Sequence, residues 1–218
     1  KVGLFHVQDE SSMLAVKLLD PKPGEKILDV CAAPGGKSFL AAELMDNKGK
    51  VVSCDIHEHK LGLMEETKTR LGIKIVETKL RDAMIVHEDD YEKFDRVIVD
   101  APCSGFGLIR KKPDIKMNKT GDDIDSLIVL QQDILRVSAE CVKVGGTLVY
   151  STCTICKKEN EMNVKKFLAE HKNFEPVDIT ELLPENLRGY AENGMIQLLP
   201  GIHETDGFFI AVMRKNGH

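Results

Sequence analysis

Tryptophan is absent from the sequence and aromatic residues make up only 5% of it, a composition that fits a soluble α/β protein and not a low-complexity chain. Long apolar runs are also missing. The strongest, 96–101 and 147–150, fall far short of the ~20 residues that a membrane-spanning helix requires, and no charged-then-apolar leader opens the chain. Nor is positive charge in excess: 30 Lys and Arg stand against 35 Asp and Glu, a net −5. Bulk electrostatics therefore do not mark a nucleic-acid binder, and any RNA or DNA contact must come from a local basic patch or another domain. There is no internal repeat, no Ser/Gly linker and no charge block long enough to form a tail. What remains is 218 residues, 42% hydrophobic and 30% charged, enough for one sizeable core and too few for two full α/β domains.

Six cysteines, at 31, 54, 103, 141, 153 and 156, are scattered rather than packed into a short secreted framework. Reduced thiols and a cytoplasmic setting are expected. The sequence opens with Lys1 rather than Met, so an upstream segment holding a separate module is expected.

Short β-branched or apolar runs alternate with longer segments of helical period, the pattern of parallel strands joined by crossover helices. Strands are expected at 26–30, 51–55, 74–78, 96–100 and 147–151, with helices at 38–45, 57–71 and 124–142 between them. Asp9 to Ser12 offer capping residues before the apolar positions Met13, Leu14, Val16, Leu18 and Leu19, so a leading helix is expected, closed by Pro21, Pro23 and Gly24. After the fifth strand come a helix at 158–170 and two late strands at 195–199 and 208–213. Residues 1–24 then form a leading helix and connector, and 25–218 a doubly wound core.

In an open α/β sheet the ligand sits beyond the carboxyl ends of the strands, near the switch point beside the first strand. The loop there reads Asp29-Val30-Cys31-Ala32-Ala33-Pro34-Gly35-Gly36-Lys37-Ser38, and Asp55 follows 20 residues after Gly35. Small residues allow a ligand close to the backbone, and an acid at that distance can hold two ribose hydroxyls. A P-loop would need Gly where Cys31 stands, and the G-x-G-x-x-G of dinucleotide sites is missing. A glycine turn that only packs helix on strand is the plainer alternative. Two further sequences, Asp100-Ala101-Pro102-Cys103 and Ser151-Thr152-Cys153-Thr154, each place a thiol at the ligand edge. A lone Cys is more often a buried hydrophobe than a nucleophile, but two beside a nucleoside pocket shift that balance. Cys153 and Cys156 form a C-x-x-C pair without the second pair that a structural zinc site needs, and the histidines show no ligand spacing, so no metal is implied. A basic cluster, Arg110, Lys111, Lys112, Lys116 and Lys119, follows the fourth strand.

Taken in order, DVCAAPGGKS, DAPCSGFG and STCT, with QDESS at the start and TDGFF near the end, resemble the catalytic domain of the RNA cytosine-5 methyltransferases of the Sun family. The resemblance runs from Phe5 to about Arg214. It implies the Rossmann-like class I S-adenosylmethionine-dependent methyltransferase fold, a mostly parallel, doubly wound sheet with an antiparallel late strand. It implies S-adenosylmethionine as cofactor and 5-methylcytosine in RNA as product, with small-subunit ribosomal RNA the expected substrate and transfer RNA the alternative.

By the same resemblance Cys153 is the nucleophile and Cys103 the thiol that assists release. Asp100 holds cytosine near nitrogen 3, and Lys37 lowers a neighbouring thiol's pKa or orients Asp100. The cofactor falls to Cys31, Ala32, Ala33, Pro34, Gly35, Gly36 and Lys37, with Asp55 on the ribose, Asp82 on the adenine amino group, and Asp100 nearby. Arg110, Pro113 and Asp114 belong to a loop over the RNA, in which Met117 stands where the family has Trp. His203 lies in the stretch that closes the site near the target. Full-length relatives carry an N-terminal RNA-binding domain, which accounts for the net negative charge of this chain. A monomer is expected. A DNA cytosine-5 methyltransferase, with the roles of the thiols exchanged, and a non-catalytic assembly factor that keeps the cofactor pocket are the rival readings.

Overall fold

Successive residues of each central strand face opposite sides of the sheet, because side chains alternate with a period of two. In the computed structural model, which describes residue 3, residues 5–117 and residues 120–217, this alternation divides the interior into two layers. Ile27, Val51, Ile98, Val149 and Val212 face one layer, and their neighbours Leu28, Val52, Val97, Leu148 and Met213 face the other. Strands β1 (Lys26–Asp29), β2 (Lys50–Asp55), β3 (Val76–Leu80), β4 (Phe94–Asp100) and β5 (Val142–Thr152) run parallel in the order β3-β2-β1-β4-β5. Helices α1 (Glu10–Leu19), α2 (Gly36–Leu44) and α3 (Glu58–Leu71) cover the first layer, and α4 (Gly121–Cys141) and α5 (Glu161–Glu170) the second. Buried on both faces, the parallel strands need apolar residues on both, which is why they read as continuous runs.

Beyond β5 the sheet turns antiparallel. Strand β9 (Phe208–Lys215) pairs with β5, and its other edge takes β6 (Phe174–Pro176) and β8 (Met195–Leu198), with β7 (Ala191–Glu192) paired to β8. No helix among the described residues is long and apolar enough to cross a membrane.

The leading helix is capped as its sequence implies: the Asp9 carboxylate accepts from Ser11 N, and Asp20 closes the helix in the left-handed region. Arg96 ties this region to the sheet, donating through Nε and Nη2 to the Glu25 carboxylate and through Nη1 to Leu19 O at 2.7 Å.

Several boundaries differ from those expected, β5 most, since it begins at Val142 rather than 147 and takes up the end of the helix expected at 124–142. The third strand begins at Val76 rather than 74, because Lys74 N donates to Asn47 Oδ1, which holds it outside the ladder. Helix α4 starts at Gly121 rather than 124, where Thr120 and Asp123 form a capping box. Helix α5 starts at Glu161 rather than 158, since Asn160 has φ −105° and ψ −106°, and its side chain is committed to the loop after β5.

Ile98 is fully buried on β4 between β1 and β5. Truncating it leaves a cavity that close-packed neighbours cannot fill. Ile98→Ala should cost roughly 2–5 kcal/mol, read as a lower urea midpoint with an unchanged m-value.

Candidate active site

Strand β1 ends at Asp29, and the chain turns into α2 through a loop held by its own backbone: Ala32 N donates to Cys54 O at 2.8 Å and Gly35 N to Ala32 O at 2.7 Å. Gly35 has φ +102°, and a Cβ there would lie 2.6 Å from the Phe39 ring, so only glycine makes this turn. At the end of β2 the Asp55 carboxylate accepts from Ala33 N at 3.3 Å and from His57 N at 2.9 Å. Asp82, after β3, accepts from Met84 N at 2.9 Å. Cys31, Ala33, Asp55, Asp82 and Asp100 line one cavity of about 320 Å³, closed on its apolar side by Ile56, Ala83 and Ile134. Its size, its apolar walls and its two fixed carboxylates fit a nucleoside with free ribose hydroxyls and an exocyclic amine.

A second cavity of about 250 Å³ adjoins it, sharing Cys31, Ala33 and Asp100, and adding Lys37, Asp29 and the N-terminal residues His6 and Gln8. Lys37 is buried, with Nζ 2.6 Å from Asp100 Oδ2 and 5.4 Å from the centre of the Phe208 ring. The other Asp100 oxygen accepts from Ser151 Oγ at 2.8 Å. Both oxygens are thus oriented, and Lys37 is a fixed cation rather than a solvated helix-start lysine. Cys31 is also held down, and burial pushes its thiol well above the ordinary range.

The two candidate thiols meet. Cys103 Sγ and Cys153 Sγ are 3.2 Å apart, 50 residues from each other in sequence. The hydrogen bond from Cys103 holds the Cys153 thiol below its usual pKa, against burial and the Asp100 charge, with Lys37 assisting. The same bond, with burial, pushes Cys103 well above it. Cys153 is thereby eased toward the thiolate, with Cys103 as its hydrogen-bond donor. The neighbour of Cys153 is Cys103 and not its C-x-x-C partner Cys156.

Around the thiols the loops pack closely. Gly107 N donates to Cys153 O and Gly207 N to Gly107 O, each at 3.0 Å, and a Cβ on Gly107 would lie 1.9 Å from Gly207 O. Lys111 Nζ bridges the carboxylates of Asp206 and Asp9, at 2.5 and 3.2 Å. Arg110, Pro113 and Asp114 are exposed, and none of them lines either cavity. Lys119 and the side chains of Lys116 and Met117 lie outside the described residues. His203 accepts from Leu199 N at Nδ1 and packs against Tyr190. It borders a larger cavity, about 730 Å³ between α1 and residues 182–187, which none of Lys37, Asp100, Cys103 and Cys153 lines. Asp100 lines both smaller cavities and Lys37 one of them, while the two thiols lie outside both, in contact with each other beyond the ends of β4 and β5.

Residues 16–214 match the family described as 16S rRNA methyltransferase RsmB/F. The chain belongs to the RsmB/F family. It is 51% identical over 217 residues to the "Probable ribosomal RNA small subunit methyltransferase B" of Bacillus subtilis, covering 99% of this chain and 48% of that one. It is 34% identical to ribosomal RNA small subunit methyltransferase F of Escherichia coli, over 98% of this chain and 45% of that one. Among solved structures, NSun6 from Pyrococcus horikoshii with SFG superposes with a TM-score of 0.85 at 32% identity, covering 100% of this chain and 54% of that chain. The fold is that of the Rossmann-like class I methyltransferases, as expected. The chain spans about half the length of the curated relatives it matches.

Within this RsmB/F chain the structure adds residues that spacing alone left out. Ser151 orients Asp100, and Glu159, Gln131 and Asn160 brace the thiol loops. Asp29 begins the glycine loop as a buried carboxyl that accepts from Ser38 Oγ at 2.7 Å, Ser38 accepting in turn from Ser53 Oγ. The second Asp29 oxygen has no hydrogen-bond partner among the described residues. Burial pushes Asp29 up to about 7, opposed by the Ser38 bond and the Lys37 charge.

Below about pH 4 both folded and unfolded chains hold the Asp29 proton; between about 4 and 7 only the folded chain does. Stability should therefore fall as pH rises through that window and level off above it. Asp29→Asn should remove this slope and gain on the order of a few kcal/mol at pH 8, measured by thermal denaturation at pH 5 and pH 8.

Proposed function

We propose that this chain carries the catalytic centre of a 16S ribosomal RNA cytosine-5 methyltransferase that uses S-adenosylmethionine. The observation that carries this is the contact of Cys103 with Cys153 beside the Lys37–Asp100 pair, in a chain of the RsmB/F family. The Asp55 and Asp82 cavity would hold the nucleoside part of the cofactor, with the backbone from Cys31 to Lys37 beside it. S-adenosylmethionine supplies an electrophilic methyl group.

Carbon 5 of cytosine is a poor nucleophile, and the residues present answer that difficulty. The Cys153 thiolate adds to carbon 6, forming a carbon–sulfur bond and pushing the π electrons of the ring toward carbon 5. Asp100, oriented by Lys37 and Ser151, would hold the cytosine edge near nitrogen 3, and the Lys37 cation paired with it offsets the charge that addition creates. Carbon 5, made nucleophilic by that addition, would take the methyl group of a bound cofactor as its bond to the sulfonium sulfur breaks and leaves a neutral thioether. Once Cys153 is bonded to carbon 6, the thiolate contact that kept Cys103 protonated is gone and its thiol proton can pass to water; the carbon 5 proton then leaves to Cys103, directly or through a water, and the electrons of that bond re-form the double bond as the carbon–sulfur pair returns to Cys153. Addition and elimination thus use the two sulfurs in turn.

For the RNA, the exposed Arg110, Pro113 and Asp114 follow in the chain the loop that carries Cys103, and His203 precedes β9. The net charge of −5 and the half-length coverage of the relatives support an RNA-binding segment elsewhere in the full-length protein, since phosphate contacts supply most nucleic-acid affinity. The six free cysteines support a reducing, cytoplasmic setting.

In the full-length protein, Cys153→Ala should lower tritium transfer from labelled cofactor to small-subunit ribosomal RNA by at least about 10³-fold. Cys103→Ala should instead accumulate a slow, Cys153-dependent RNA band on a denaturing gel. Equal, mild losses from both substitutions would overturn these roles, and transfer to tRNA alone would overturn the substrate.

A further inference from the structure

Glu159 is fully buried, yet the donors that face its carboxylate are neutral. Ser104 gives both its N–H, at 2.9 Å, and its hydroxyl, at 2.6 Å, and Gln131 Nε2 gives a third bond at 2.9 Å; Thr154 Oγ1 lies 3.2 Å away and also shares a hydrogen bond with Ser104 Oγ at 2.8 Å, so the carboxylate and the two hydroxyls close one cluster. Burying a carboxylate without a cation is costly, so its place in the fold calls for a gain elsewhere. The partners show where that gain lies. Ser104 directly follows Cys103, and Thr154 directly follows Cys153. Gln131 Nε2 also donates to Pro102 O at 2.9 Å, so Cys103 is bracketed on both sides. Asn160, the next residue, accepts from Thr152 Oγ1 at 2.6 Å and donates to Thr154 O at 2.9 Å, bracketing Cys153 in the same way.

We propose that Glu159 is a positioning residue that sets the separation of the two thiols by tying the residue after Cys103 to the residue after Cys153. It lies in the turn that delays the start of α5, so the loop between β5 and α5 is shaped around this bond network. Its charge also favours the protonated form of Cys103, adding to the bond with Cys153. Glutamine is nearly isosteric, but its amide nitrogen can sit only on the side of the two hydroxyls, because Ser104 N and Gln131 Nε2 only donate. Ser104 Oγ and Thr154 Oγ1 must then reverse from donating to accepting, which rearranges the arm of the clamp that joins the two thiol loops.

The catalytic meaning of this clamp rests on the function proposed above; its geometry does not, and the test separates them. In full-length protein without RNA, alkylation of Cys153 by iodoacetamide would be followed against pH by peptide mass spectrometry, for wild type, Cys103→Ala, Glu159→Gln and the double variant. Wild type should alkylate with a midpoint below that of an ordinary thiol. Cys103→Ala should raise the midpoint by roughly one pH unit, the size of one lost hydrogen bond to a charged group. Glu159→Gln should raise it by a similar amount, and the double variant should lie no higher than Cys103→Ala alone. A wild-type midpoint in Glu159→Gln, or the same rise from Glu159→Gln with and without Cys103, would overturn the proposal. If Glu159→Gln does not fold, Ser104→Ala combined with Thr154→Val enters the same cycle and decides it by the same criteria. With RNA present, Glu159→Gln should also accumulate the slow band that Cys103→Ala gives. Absence of that band in Cys103→Ala itself removes the methyltransferase reading and leaves the alkylation result standing.

Discussion

The parallel pairing of β4 with β5 is the constraint on which the rest depends. Asp100 stands opposite Ser151, and Ala101 N donates to Ser151 O at 2.9 Å. The two strands therefore end at one level, and the few residues that follow each of them reach the same point in space. That is why a carboxylate, two thiols and a lysine from α2 share one site although 116 positions separate Lys37 from Cys153. The loops beyond the strands have little freedom left. Gly107 lies against both Cys153 O and Gly207, so the chain after β4, the chain after β5 and the chain before β9 close on one another without room for a side chain.

Within that frame the thiol pair settles its own protonation. Lys37 and Asp100 act on Cys153 with opposite sign, and because they are 2.6 Å apart their fields largely offset each other at the sulfur. Burial disfavours a thiolate. The hydrogen bond from Cys103 is what tips the balance, since a bond to an ionised acceptor is worth roughly 1.5–3 kcal/mol net. A cation paired directly to the sulfur would stabilise the thiolate further but would also dull it as a nucleophile, because nucleophilicity falls with thiol pKa. A neutral donor lowers the thiol pKa without that loss of reactivity.

The sheet was legible from the sequence because parallel strands buried on both faces must be written as apolar runs, and 26–30, 51–55 and 96–100 were found where the ladders are. Lys37, Asp100, Cys103 and Cys153 were legible because each closely follows a strand in a motif. The short strands β6 and β7 were not, since two or three residues, one of them Pro176, carry no period. The bracing residues were hidden for a different reason. Ser104, Thr154, Gln131 and Asn160 are ordinary polar residues, and only their convergence on Glu159 or on the thiol loops gives them meaning. The capping box at Thr120 was overlooked, although Thr and Asp three apart before an apolar run is a readable signal.

The basic cluster after β4 shows why a count of charges overstates RNA affinity. Lys111 belongs to it by sequence, but its ammonium bridges Asp9 and the buried Asp206, holding the capped start of α1, the loop after β4 and the segment before β9 together. That lysine is spent on architecture. Arg110 and Lys112 remain exposed and without an ion pair among the described residues. Two cations neutralise two phosphates, and the affinity they add is of the weak, strongly salt-dependent kind. A surface with net charge −5 cannot draw in ribosomal RNA on that basis. On the function proposed above, the two free cations would orient an RNA strand held by contacts elsewhere, so that one cytosine reaches the paired thiols.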